Sequence, residues 1–221
     1  MASESVRIAY EKILNRIMNG DYMPGDLLSE NELAEWLNMS RTPVRMAVYR
    51  LESEGYVDLL KNRGIVVKEL SLEEMLETVE LFDALLKHAF DKVEEYRIDF
   101  DLEKIHDYLQ KQIIATEEKN YYEYSLNSVA FILSIFQAFR NQVMLETIER
   151  LLKKLMITAV ISYKRAPHLS HFSATPLNKK LYDYLLNKDY ERIKKWAQHY
   201  VNSDSYISPK VRSIISSHSK D

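Results

Sequence analysis

The sequence predicts a mainly α protein with an N-terminal winged helix-turn-helix followed by an all-helical bundle. Three observations carry this reading. All four glycines, Gly20, Gly25, Gly55 and Gly64, fall in the first 64 of 221 residues, and glycine serves the tight turns. Helical apolar patterns with start signals are followed there by two β-rich runs around Lys61-Asn62-Arg63-Gly64, the pattern of a hairpin. Beyond residue 70, long apolar patterns at helical spacing continue with few breakers. The division is therefore expected near Leu70, into units 1–70 and 71–221.

The elements follow in order. Val6, Ala9, Tyr10, Ile13, Leu14 and Ile17 recur at helical spacing, and Gly20 stops the helix. Met23-Pro24-Gly25-Asp26 is a turn. Ser29-Glu30-Asn31-Glu32 is a capping box, in which hydroxyl and carboxylate satisfy the free amides of a helix start. Leu33, Ala34 and Leu37 form the inner face of that short helix, and Asn38-Met39-Ser40 is a brief turn. The next helix, over 42–54, has Pro43 in its first turn, where a missing N–H costs nothing. Its inner face is Val44, Ala47, Val48 and Leu51, and its outer face is Thr42, Arg45, Met46, Tyr49 and Arg50. Gly55 ends it. Runs 56–60 and 65–68 are the hairpin strands. Two helices, a short turn and a hairpin make a winged helix-turn-helix. In the second unit, Ser71-Leu72-Glu73-Glu74 is another capping box. Helices are expected over 71–95, 101–118, 121–140, 142–164, 177–186 and 189–202, with Pro167 and Pro176 in the loop before the fifth and a frayed tail over 213–221. Six helices around a central cavity is the expected bundle. The run 126–139 has almost no polar face and reads as a buried central helix.

Composition sets the limits. Hydrophobic residues are 46% and charged residues 29%, an ordinary globular balance, and 24 aromatic side chains argue against a disordered chain. With no cysteine, a disulfide framework, a Cys-based zinc finger and a cysteine nucleophile are excluded. There is no signal-peptide pattern, and the most apolar stretch, 129–139, is about half the ~20 residues of a membrane span. A cytoplasmic protein without a membrane partner is expected. The sequence holds no nucleophile elbow, phosphate-cradling glycine loop or HExxH motif, so no enzyme is expected.

Net charge is −3, so any DNA contact must come from a local cluster. Residues 1–70 hold 9 basic and 11 acidic side chains, which on its own favours solvated surface charges. The spacing favours DNA. Arg41, Arg45 and Arg50 ring the outer face of the second helix, and guanidinium suits guanine O6/N7 or phosphate. Ser40 and Thr42 offer hydroxyls and free amides to a phosphate. Lys61 and Arg63 flank the hairpin tip, where Gly64 lets the backbone come close. Tyr49 completes the candidate surface.

Pro24-Gly25-Asp26-Leu27-Leu28-Ser29-Glu30, Leu33-Ala34, Ser40-Arg41-Thr42-Pro43-Val44-Arg45, Leu51-Glu52-Ser53-Glu54-Gly55 and Gly64-Ile65-Val66-Val67 closely resemble the GntR family of bacterial transcription regulators, in unbroken order over about 5–70. The helical remainder is similar to that family's fatty-acid-regulator type domain, usually called FCD. The resemblance implies a homodimer on an inverted-repeat double-stranded DNA operator, with a small-molecule effector in the helical unit changing DNA affinity; a repressor is expected. By motif position, Arg41, Arg45, Arg50 and the Gly64 wing tip correspond to the family's DNA contacts.

In most FCD members a divalent metal sits in the cavity, held by one Asp and three His. Those positions fall here on Ser128, Ile132, Asn178 and His199, and the family's effector-binding arginine falls on Phe82. Only His199 keeps a ligand. No metal and no cofactor are therefore expected, and Phe82, Ser128, Ile132, Asn178, Tyr182 and His199 become candidates for a metal-independent effector pocket. His168 and His171 lie in an expected loop beside Pro167. The alternatives from other classes are a ligand-independent DNA-binding or protein-interaction module on the same fold, or an all-helical enzyme fused to a DNA-binding head.

Overall fold

The computed structural model describes residues 2–61, 63–169 and 171–200. It divides into two compact units, Met1–Leu70 and Ser71–Asp221. The mainly α class is borne out, with a three-stranded sheet confined to the first unit.

The first unit runs α1 (Ala2–Met18), β1 (Leu27–Leu28), α2 (Glu30–Leu37), α3 (Arg41–Ser53), β2 (Val57–Leu60) and β3 (Gly64–Val67). The apolar stripe of α1 packs on α3 through Ala9, Tyr10, Ile13, Leu14 and Ile17, all buried. Val44, Ala47, Val48 and Leu51 supply the matching face of α3. Burying such side chains is worth about 1.5–3 kcal/mol each for the larger ones, which is what holds three short helices that would be marginal alone. The capping box of α2 forms as expected, with Ser29 Oγ accepting from Glu32 N and Glu32 accepting from Ser29 N. Asn38 ends α2 in the left-handed region at φ 52°, which asparagine tolerates.

The sheet order is β1-β3-β2, antiparallel throughout. The sequence does not announce β1. It is two residues long, too short for an alternating pattern, and is defined only by pairing Leu27 with Val66 and Leu28 with Ile65. That third strand changes the meaning of Gly64. Its φ is +101°, and a Cβ there would lie 2.7 Å from the Leu28 carbonyl oxygen. The glycine is required by the sheet itself, whatever the wing tip touches.

The second unit has α4 (Leu72–Asp91), α5 (Leu102–Glu117), α6 (Tyr121–Gln137), α7 (Gln142–Arg165), α8 (Ala174–Leu186) and α9 (Tyr190–Tyr200). As expected, α6 is the buried centre. Phe131, Ile132, Ile135 and Phe136 are fully covered, and α6 packs on α5, α7 and α8. Phe90, Phe136, Phe139 and Trp196 form an aromatic cluster joining α4, α6 with the turn after it, and α9, with Phe90 edge-to-face against Phe139 and Trp196.

Several boundaries differ from expectation. Helix α4 stops at Asp91 rather than residue 95, and α6 stops at Gln137 rather than 140. Pro176 belongs to the first turn of α8 and not to the loop before it; there its missing N–H leaves no bond unmade. No glycine follows Gly64, yet Lys119, Arg140 and Lys188 take positive φ after α5, α6 and α8. These turns use the left-handed geometry with side chains that pay a steric penalty for it. The expected end of the last helix at residue 202 and the tail over 213–221 lie outside the described residues.

Candidate nucleic-acid interface

The helix α3 opens at Arg41 with Ser40 as its N-cap. Ser40 is exposed and its hydroxyl makes no capping hydrogen bond, so hydroxyl and first-turn amides remain available to an anion. Arg41, Thr42, Arg45, Met46, Tyr49 and Arg50 are all exposed. Arg41, Arg45 and Tyr49 follow one another at four-residue spacing on one flank. Pro43 is half-buried in the first turn.

The arginines are not equivalent. Arg45 grips Glu30 at the start of α2: its Nε lies 3.1 and 3.0 Å from the two carboxylate oxygens, and its Nη2 lies 3.0 Å from Oε2. Arg41 joins the same carboxylate at 3.5 Å. The hydrogen bond from Arg45 holds the Glu30 carboxyl below its ordinary range against the opposing effect of partial burial, with the charges of Arg45 and Arg41 adding to it. Glu30 is therefore ionised under ordinary conditions. Arg50 points elsewhere. Its guanidinium sits 3.9 Å from the ring centroid of Tyr10 in α1 and pairs with Glu54 at 2.9 Å, and the Tyr10 hydroxyl donates to the same Glu54 carboxylate. Arg50 thus joins α3 to α1, with about half of its side chain still open to solvent.

At the wing, Lys61 and Arg63 are exposed, and neither takes part in an ion pair among the described residues. The turn closes by a bond from Arg63 N to Leu60 O at 3.0 Å. On the inner side of the head, Glu52 accepts from Leu59 N, fixing the start of the wing to α3.

In the second unit the effector-pocket candidates separate. Asn178 in α8 and Ser128 in α6 come together, with Asn178 Nδ2 3.4 Å from Ser128 Oγ. Asn178 Nδ2 also donates to Gln112 Oε1 in α5 at 2.9 Å. Phe82 and Ile132 are wholly buried and act as packing residues of α4 and α6. Tyr182 turns to α5, where its ring meets His106. His199 falls within α9, and its side chain lies outside the described residues. His171 bonds the Ala166 carbonyl and packs against Tyr121 and Tyr163.

Beside Ser125, Ser128, Val129, Leu155 and Ala174 lies a small space of about 30 Å³. That is far below the ~300–1,000 Å³ of a site for a drug-sized ligand. Gln112 Nε2 and Ser125 Oγ are buried without a hydrogen-bond partner. No group of three or more His, Asp or Glu side chains converges as a metal site among the described residues.

Two residues escape a reading of the sequence. Gln112 carried a signal, because it occupies an inward position in the Ile105, Leu109, Gln112, Ala115 pattern of α5. Glu30 carried none beyond its place in a capping box, since its partner is 15 residues away.

Residues 6–67 match the family model of bacterial regulatory proteins, gntR family. An uncharacterised HTH-type transcriptional regulator of Agrobacterium vitis is 40% identical over 80 residues, covering 36% of this chain and 47% of the relative. The gluconate operon transcriptional repressor of Bacillus subtilis (strain 168) is 30% identical over 139 residues, covering 62% of this chain and 56% of the relative. The chain thus spans about half the length of these curated relatives. A solved transcriptional regulator of Rhodococcus sp. RHA1 shares the fold, with a TM-score of 0.77 at 18% identity over 90% of this chain and 93% of that one. The match over 6–67 coincides with the helices and wing just described, so the winged helix-turn-helix head of this chain is similar to the gntR family of bacterial regulatory proteins.

Proposed function

We propose that the protein is a transcription regulator, a repressor in the cytoplasm, that binds an inverted-repeat operator as a homodimer. In this reading α3 enters the major groove and the β2–β3 wing follows the backbone. Ser40, Arg41, Thr42, Arg45 and Tyr49 face the groove, Lys61, Arg63 and Gly64 meet phosphates, and Arg50 contributes from the edge nearest α1. The observation that carries the reading is an exposed arginine flank on α3 together with two cations at the wing tip that make no ion pair among the described residues, on a head that matches the gntR family. DNA contacts of these two kinds do different things: base edges specify and phosphates position. Lys61→Ala should therefore weaken binding to all sequences and lower the salt slope by about 0.9. An unchanged slope would remove the wing from the interface.

The helical unit is read as an FCD-type domain that senses a small molecule without metal. Gln112, Ser128 and Asn178 support a neutral polar ligand, because amides and hydroxyls meet there where an ion would need carboxylate and imidazole. The small size of the space beside Ser128 favours a second reading, a DNA-binding module without ligand control. A thermal-shift screen of acids, sugars, amino acids and lipids separates the two, since a ligand selective for the folded state raises its stability.

A further inference from the structure

Glu30 is the first residue of α2, yet its carboxylate is not used by its own helix start. Ser29 and Glu32 make the capping box. Glu30 instead reaches across to α3 and takes one particular edge of Arg45. A guanidinium has a lateral edge, formed by Nε–H and Nη2–H, and an end edge, formed by the two Nη groups. Both oxygens of Glu30 accept from Nε, and Oε2 also meets Nη2. The lateral edge is occupied. The end edge remains, and its two parallel N–H groups have the fork spacing that fits guanine O6 and N7.

The pair is half exposed on the arginine side, where ion pairs add little to folding. Its weight falls on binding. Holding a long side chain in one conformation beforehand removes an ordering cost that would otherwise oppose association. The same carboxylate offsets the charge of Arg41 and Arg45, which lowers the attraction to phosphates of any sequence.

We propose that Glu30 is a positioning residue for DNA readout: it holds Arg45 by its lateral edge so that the end edge meets a base, and it withholds Arg41 and Arg45 from indiscriminate phosphate contact. The inference rests on the reading that α3 enters the major groove. Glu30 thereby trades affinity for random DNA against discrimination between sequences.

The test uses the full chain and two probes of equal length, a duplex selected by the wild type from a random pool and a random-sequence duplex. Affinities are measured by fluorescence anisotropy over a salt series for wild type, Glu30→Gln, Arg45→Ala, Arg45→Lys and the Glu30→Gln/Arg45→Ala double variant. Glu30→Gln should lower the selected-to-random affinity ratio about tenfold, the scale of one bidentate base contact. It should also tighten binding to the random duplex and steepen its salt slope by about 0.9 for each arginine released to a phosphate. In the Arg45→Ala background the loss of ratio caused by Glu30→Gln should vanish, which is the signature of action through Arg45. Arg45→Lys leaves α2 untouched and keeps the charge but not the fork; it should lose the ratio as well, so the result does not depend on Glu30→Gln folding normally. An unchanged ratio in Glu30→Gln, or an equal loss with and without Arg45, overturns the proposal. If Arg45→Ala leaves affinity for the selected duplex unchanged, the groove reading fails, and the proposal fails with it for a separately visible reason.

Discussion

Arg45 stands on an exposed helix face with its lateral edge held by three contacts to Glu30, and in the proposed readout its other edge presents the fork to a base. Arg45→Ala should cost about 1–3 kcal/mol of operator affinity and relax sequence preference. Operator titration at fixed salt checks this, and an unchanged affinity contradicts the assignment of α3. In the helical unit the corresponding single residue is Asn178, completely buried between α5, α6 and α8. Truncation to alanine leaves the Gln112 carbonyl oxygen without that donor. Asn178→Ala should lower stability by about 1–3 kcal/mol, the cost of a buried polar group left unpaired, read from chemical denaturation. A neutral result would mean that water or Ser128 takes the bond over.

Among the elements, the wing depends on a strand of two residues. Pairing of Leu28 with Ile65 brings the β1 backbone against Gly64, where a Cβ would stand 2.7 Å from a carbonyl oxygen at a φ of +101°. Gly64→Ala should therefore destabilise the head by about 1–3 kcal/mol and weaken DNA binding by displacing the wing tip. Thermal unfolding and the operator titration read the two effects separately. Normal stability with weak binding would move the role of Gly64 from the sheet to the DNA. The helices of the second unit tell a complementary story. Ser71, Asp101, Asn120 and Asn141 each accept from the third residue of the helix that follows, a local signal that places helix starts well. The end of α6 carries no such signal: the helix stops at Gln137 and the chain turns at Arg140 in the left-handed region without a glycine.

For the whole molecule, a two-fold operator calls for a two-fold protein. Sedimentation should show a dimer, with the helical unit contributing to the contact. A mass that stays monomeric at all concentrations, together with tight binding to an inverted repeat, would exclude this assembly. The sequence by itself determined the fold class, because amphipathic periodicity, helix caps and the hairpin turn are local and repeat along each segment. It also determined the family resemblance of the head, because the turn, cap and recognition-helix residues stand in one unbroken order. Only tertiary structure decided which charges and amides meet. Glu30 and Arg45 are 15 residues apart, Tyr10 and Glu54 are 44 apart, and Gln112 and Asn178 are 66 apart. No periodicity encodes such distances; they are set by how α2 packs on α3, α1 on α3, and α8 on α5. The same packing leaves a space of about 30 Å³ beside Ser125 and Ser128 of α6, as expected where large buried side chains pack closely.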